Sequence, residues 1–301
     1  MSELGARLGG GLPLLLDGGL GSMLIAAGLR AGEPPERWTL ERPAEVVAVH
    51  RAYVQAGSEA VHTNTFGANA IRLGRAGLAQ RGHEINRRAV ELARQAGARF
   101  VLGDVGPSGE YLPPVGKADE GRWREAFFAQ GQALAGAGVD GLHVETMSDL
   151  REAVAALESL REAAPELPVM VSLTYERRRR GFFTVMGDSP ARAAAELGTR
   201  GAAAVGANCS ITSAEMRALG PELVAALDAR GRLLAVVAQP NAGQPLVSSA
   251  GVSYAQSPDA FADDMVALIQ AGVRIAGGCC GTDPSFIAAL RARLGPQGQA
   301  P

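Results

Sequence analysis

Val273-Arg-Ile-Ala-Gly-Gly-Cys-Cys-Gly-Thr-Asp-Pro284 is a strand, a strand end and a helix start in twelve residues. The short apolar run 273–277 reads as a strand. Gly278, Cys279 and Cys280 follow it, and Thr282 or Asp283 then offers an N-cap with Pro284 in the first turn of a helix over 284–294. Working outward, the same rhythm recurs along the chain. Apolar runs at 12–16, 60–65, 100–105, 141–145, 169–174, 203–208 and 233–239 read as strands, and 43–56, 82–96, 123–137, 150–163, 189–197, 214–228 and 257–271 read as helices. Ser148 or Asp149 stands before the helix at 150, and Gly57, Gly97, Gly138 and Gly272 fit helix ends. Eight βα units in one chain predict an α/β fold of the closed (β/α)8 type, a TIM barrel, rather than an open doubly wound sheet, because closure removes both sheet edges.

Such a barrel carries its chemistry at the C-terminal ends of the strands. The residues found there are polar: Asp17-Gly-Gly, Thr63-Asn-Thr, Asp104, Glu145-Thr146, Asn208-Cys209, Gln239-Pro-Asn241 and Gly278-Cys-Cys280. All three cysteines of the chain, Cys209, Cys279 and Cys280, are among them. Three thiols supply three ligands to a tetrahedral zinc ion and leave its fourth position open to a substrate, the pattern of a catalytic site. Three plainer readings compete. Cysteine also serves as a small buried hydrophobe, but that does not gather all three at one mouth. A vicinal disulfide between Cys279 and Cys280 is strained and suits an oxidising compartment. A phosphate loop at Gly277-Gly278 needs backbone amides and has no use for thiols.

Composition narrows the class of function. The 301 residues carry 29 basic and 31 acidic side chains, a formal net charge of -2, which gives no bulk attraction to nucleic acid or to an anionic membrane. No stretch approaches the roughly 20 apolar residues of a membrane span, and the N-terminus does not read as a signal peptide, so a cytoplasmic protein acting on a small molecule is expected. Residues 1–11 and 295–301 are rich in glycine, proline and polar residues and read as flexible ends around a single domain over 12–294. The sole lysine, Lys117, lies in a glycine- and proline-rich loop, which argues against Schiff-base chemistry at the mouth. His50, His62, His83 and His143 read as structural, and the arginine run 177–180 as a solvated loop after strand five.

Taken in order, Asp17-Gly-Gly-Leu-Gly-Ser22, Thr63-Asn-Thr-Phe-Gly-Ala68, Gly103-Asp-Val-Gly-Pro107, Glu145-Thr146, Asn208-Cys-Ser210, Pro240-Asn-Ala-Gly243 and Gly277-Gly-Cys-Cys-Gly-Thr282 resemble the zinc-dependent homocysteine S-methyltransferases. The resemblance runs from about Asp17 to Leu294 and is strongest to the homocysteine-binding domain of cobalamin-dependent methionine synthase. It implies a (β/α)8 barrel with Zn2+ held by Cys209, Cys279 and Cys280. It also implies Asp17 and Glu145 at the ammonium group of homocysteine, the amides of Gly18 and Gly19 at its carboxylate, and Asn241 filling the fourth zinc position when substrate is absent. A free aliphatic thiol has a pKa near 8.5, so only a few per cent is thiolate at neutral pH. A zinc ion in a thiolate cage removes that obstacle. The chain carries no Asp-x-His-x-x-Gly corrinoid signature. The expected activity is therefore methyl transfer to homocysteine, giving methionine, from a small donor such as S-methylmethionine, adenosylmethionine or betaine. A second expectation is a homocysteine-binding subunit served by a separate methylcorrinoid protein, and a third is a non-catalytic zinc or thiol sensor.

Overall fold

The computed structural model describes residues 2–30, 32–228, 234–248 and 251–295. Eight parallel strands form one sheet: β1 (Leu14–Leu15), β2 (Ala60–His62), β3 (Phe100–Val105), β4 (Gly141–Met147), β5 (Val169–Leu173), β6 (Ala204–Thr212), β7 (Ala235–Asn241) and β8 (Ile275–Ala276). Their order is β1-β8-β7-β6-β5-β4-β3-β2. The ends meet where the Glu59 N–H donates to Leu15 O at 2.8 Å and Ser58 Oγ to Leu16 O at 3.1 Å, so the sheet is a nearly closed barrel. Each expected strand is present. Leu233, the first residue of the expected seventh run, lies outside the described residues, as do Met1 and 296–301.

Helices Pro43–Ala56, Gly82–Gln95, Glu120–Gly136, Leu150–Ala163, Pro190–Thr199, Ser213–Asp228, Pro258–Gln270 and Pro284–Leu294 follow the eight strands in turn. Asp149 and Asp283 are the caps that the sequence left as one of two choices, and each side chain accepts a first-turn N–H. Gly57, Gly97, Gly138 and Gly272 have positive φ at the helix ends, as expected. Among the described residues no helix is long and apolar enough to cross a membrane.

The two-residue period of the strands divides the core. Outward side chains pack under the helices in the largest hydrophobic cluster. Inward ones form a separate cluster of Leu14, Leu16, Ala60, Phe100, Leu102, Met170, Ala204, Ala235, Val237 and Ile275. One step further along the same faces the inward positions turn polar, with His62, Asp104, His143, Ser172, Asn208 and Gln239, all buried. The barrel is thus oil at the bottom and polar at the top.

Three features differ from the sequence reading. Residues 3–8, placed there in a loose end, form a helix, Glu3–Leu8, whose Leu4 is 1 % exposed and joins the inward cluster. The helix closes the lower end of the barrel, tied by Arg7 to Glu59 at 2.8 Å and to Leu12 O at 2.7 Å. The arginine run after β5 is half of an antiparallel hairpin, Glu176–Arg178 with Gly181–Phe183, which keeps Arg177, Arg178, Arg179 and Arg180 exposed. A second hairpin, Pro245–Ser248 with Gly251–Tyr254, follows β7.

Candidate active site

Cys209 lies near the C-terminal end of β6, where the backbone leaves the extended region: Cys209 and Ser210 have φ of 58° and 59°. Non-glycine residues in this left-handed region carry strain that neighbouring structure must hold in place. Cys279 and Cys280 occupy the turn between β8 and the helix Pro284–Leu294. Hydrogen bonds fix this turn from several sides. The Cys279 N–H donates to Pro240 O (2.9 Å), the Cys280 N–H to Asn241 Oδ1 (3.1 Å) and the Gly281 N–H to Ser22 Oγ (3.0 Å), while Cys280 O accepts from the Ala242 N–H (3.0 Å). The Asp17-Gly-Gly segment packs directly on it. A Cβ at Gly18 would lie 2.4 Å from Thr282 O, and one at Gly19 would lie 2.5 Å from Cys279 O, so only glycine permits this approach.

All three cysteines are free, and their sulfurs lie within 4.8 Å of one another, with Cys209 Sγ and Cys280 Sγ 3.8 Å apart. Sulfurs bound tetrahedrally to one zinc at about 2.3 Å sit roughly 3.8 Å from each other, so this donor set fits the ion in kind and spacing. Hydrogen bonds from the Cys209 and Cys279 thiols pull the Cys280 thiol down to about 3, and the Cys279 thiol is raised by its bonds to Cys209 and Cys280.

The sulfurs open onto a cavity of about 350 Å³ whose walls include Gly18, Gly19, His62, Asp104 and Glu145. Glu145 is anchored by Asn208, whose Nδ2 donates to Glu145 Oε2 at 2.9 Å and to Thr146 Oγ1 at 2.8 Å. The same Asn208 accepts the Thr146 N–H through Oδ1 at 2.8 Å, which holds Thr146 at a φ of 59°. Burial pushes the Glu145 carboxyl up to about 7, against the opposing pull of His62. Asn208 lay at an expected strand end, but its place as the clamp on Glu145 emerges only from the fold.

Asp17 and Asn241 are placed differently from the other expected substrate contacts. Asp17 is fully buried, with Oδ1 2.6 Å from His62 Nδ1 and Oδ2 accepting the His62 N–H at 2.9 Å. It stands behind His62 and does not line the cavity. Asn241 is 5 % exposed, also lies outside the cavity wall, and its Oδ1 serves the Cys280 N–H. The Gly19 N–H donates to Thr282 O at 2.9 Å.

His62, by contrast, reaches the cavity. Its Nε2 lies 2.8 Å from His143 Nδ1, and His143 Nε2 lies 2.9 Å from Ser172 Oγ, which completes a buried chain from Asp17 to Ser172. Burial opposes charge on His62, but Asp17 outweighs it and raises the imidazole to about 10, while burial and the His62 charge push His143 down. His62 therefore donates through both nitrogens and His143 accepts through Nδ1. Ligand atoms of His62, His143 and Glu145 also lie within 4.8 Å of one another, but the two imidazoles are committed to this chain of hydrogen bonds. The signal available in the sequence was inward strand parity at His62, beside the strand that ends in Asp17.

The homocysteine S-methyltransferase family matches residues 14–294 of the chain. Methionine synthase of Mycobacterium tuberculosis is 30 % identical over 92 % of this chain and 24 % of its own length, and that of Mycobacterium leprae is 31 % identical over 84 % and 21 %. The chain thus spans about a quarter of the length of the curated relatives it matches. The crystal structure of the homocysteine methyltransferase MmuM from Escherichia coli in its metallated form superposes with a TM-score of 0.76 at 28 % identity, covering 93 % of this chain and 96 % of that one. With the fold, the ordered strand-end residues and these matches in agreement, the chain belongs to the homocysteine S-methyltransferase family.

Proposed function

We propose that the chain binds homocysteine with its sulfur at a zinc ion held by Cys209, Cys279 and Cys280, and transfers a methyl group to it to give methionine. The observation that carries this reading is the gathering of three free sulfurs, with Cys209 Sγ and Cys280 Sγ 3.8 Å apart, on the wall of a cavity shared with the half-buried carboxyl group of Glu145. When bound, zinc supplies the positive charge that keeps a substrate thiol in its thiolate form at neutral pH.

The chain's own residues set the geometry. Glu145, locked by Asn208, receives the substrate ammonium, and the backbone at Gly18 and Gly19 lies beside the carboxylate. The distance from Glu145 to the sulfur cluster then measures the substrate and favours homocysteine over the shorter cysteine. The sulfur forms a bond to the methyl carbon as the bond from that carbon to the donor breaks, and the electron pair of the broken bond leaves with the donor. The thiol proton passes to water. Asp17 supports the floor of the site through His62, because both of its oxygens are engaged there. Asn241 acts through the backbone of Cys280.

The methyl donor is either a small sulfonium or ammonium compound or a methylcorrinoid on a separate protein. Methionine formation from homocysteine is measured with S-methylmethionine, adenosylmethionine, betaine and methylcobalamin in parallel, with Cys280→Ser as control. Turnover with one donor, accompanied by bound zinc and lost in Cys280→Ser, supports the reading and names the donor. Undiminished turnover by metal-free Cys280→Ser contradicts it.

A further inference from the structure

Two cationic side chains line the cavity, His62 and Arg72, together with three acids, Glu36, Asp104 and Glu145. His62 is fully engaged, with Nδ1 directed to Asp17 and Nε2 to His143. Arg72 is not. Its guanidinium forms no hydrogen bond or ion pair with any described residue and lies over the Phe66 ring, with Cζ 5.1 Å from the centroid. Glu36, the acid beside it, turns Oε1 to the Gly67 N–H at 2.5 Å, and burial raises its carboxyl against the pull of backbone N–H groups and of Arg72.

The position of Arg72 is built into the fold. It sits in the short helix Ala70–Arg75, where the Asn69 cap accepts its backbone N–H at 3.0 Å. Phe66 is held against Gly106, where a Cβ would meet its ring at 2.5 Å. The half-buried guanidinium thus stands where the cavity meets a surface groove that Arg37 and Arg75 also line. Those two arginines are paired, with Glu41 and Glu110, so Arg72 is the cation left for a ligand. A guanidinium with its fork of N–H donors unused suits a planar anion, and a carboxylate accepts two of those donors at once.

Methyl transfer brings two molecules into this cavity. Homocysteine is assigned to the sulfurs after β6 and β8, to Glu145 and to the backbone at Gly18 and Gly19. Arg72, which follows β2, is outside that set. The thiolates and Glu145 attract the positive centre of an onium donor, which leaves a carboxylate elsewhere on that donor free to meet Arg72.

We infer that Arg72 is the specificity-determining residue for the methyl donor, and that it receives the carboxylate of a small sulfonium or ammonium donor that carries one. This rests on the reading of the cavity as a homocysteine methyltransferase site. With S-methylmethionine, the homocysteine sulfur bonds to the methyl carbon as the bond from that carbon to the donor sulfur breaks. The electron pair stays on the donor sulfur, the thiol proton goes to water, and both products are methionine.

The test measures methionine formation by zinc-loaded protein with three donors and their counterparts lacking the carboxylate: S-methylmethionine with (3-aminopropyl)dimethylsulfonium, betaine with tetramethylammonium, and adenosylmethionine with its decarboxylated form. The wild type is expected to prefer the carboxylate-bearing member of the pair it uses. Arg72→Gln raises KM for that donor roughly 10- to 100-fold with kcat little changed, the range for losing a charge-assisted pair, and Arg72→Lys recovers part of the loss. The counterpart is used equally by wild type and variants, and zinc content and KM for homocysteine stay at the wild-type level. A wild type indifferent to the carboxylate, a preference intact in Arg72→Gln, or a loss that falls on homocysteine overturns this assignment alone. So does turnover with methylcobalamin and none with the three donors. A wild-type protein that binds no homocysteine by calorimetry overturns the methyltransferase reading and the assignment with it.

Discussion

His62 holds a positive charge inside the barrel because Asp17 meets it at both the ring and the backbone. Its folded pKa of about 10 lies above the value near 6.5 expected in the unfolded chain. The resulting stabilisation is fully present below about pH 6.5 and is lost as pH rises through about 10. His50 behaves oppositely, since burial pushes it down to about 4, and its neutral form costs stability as pH falls from about 6.5 toward 4. His62→Leu leaves Asp17 buried and unpaired, an expected loss of about 3–5 kcal/mol at pH 7 by urea unfolding. The variant also loses the alkaline decline between about pH 6.5 and 10, and a decline of wild-type size in His62→Leu would refute the charged pair. This pair was hidden in the sequence because a histidine takes its role from what faces it, and Asp17 lies 45 positions away. The cysteines were legible for the converse reason: a reduced thiol has few uses, and all three stood at strand ends.

Elements with strong local signals were read correctly. The strands are apolar runs with clear stops, and the helices carry caps such as Asp149 and Asp283. The elements that were missed lack such signals. Each strand of the hairpin after β5 is three residues long, and its first strand is a run of exposed charges with no apolar alternation. The helix Glu3–Leu8 is a six-residue piece in a glycine-rich stretch, too short to be stable alone. What orders it is tertiary: Leu4 enters the bottom of the barrel and sits against Gly141, where a Cβ would come within 2.7 Å of it. Leu4→Ala should therefore cost about 2–5 kcal/mol of stability, as for other buried leucines. Thermal unfolding and zinc content together check this, with stability lowered and zinc binding kept. An unchanged melting temperature would mean that the plug adds nothing.

Across the whole molecule, the barrel separates stability from chemistry along its axis. The lower interior is apolar and closed by Leu4, the middle carries the Asp17–His62–His143–Ser172 chain, and the mouth carries the three sulfurs and the carboxylates of Glu145 and Asp104. The fold was legible as eight repeats of one unit. Glu145 was legible as a strand-end acid at the mouth, whereas the withdrawal of Asp17 from the cavity was not, because register and burial decide which strand-end acid points into it. The central claim is that the sulfur cluster holds zinc with one position left for the substrate sulfur. X-ray absorption at the zinc edge, on reduced zinc-loaded protein with and without homocysteine, tests it most directly. The account predicts three sulfurs and one lighter ligand without substrate, becoming four sulfurs at about 2.3 Å when homocysteine is added. A reduced protein that retains no zinc, or a sulfur count that stays at three with saturating homocysteine, would contradict it.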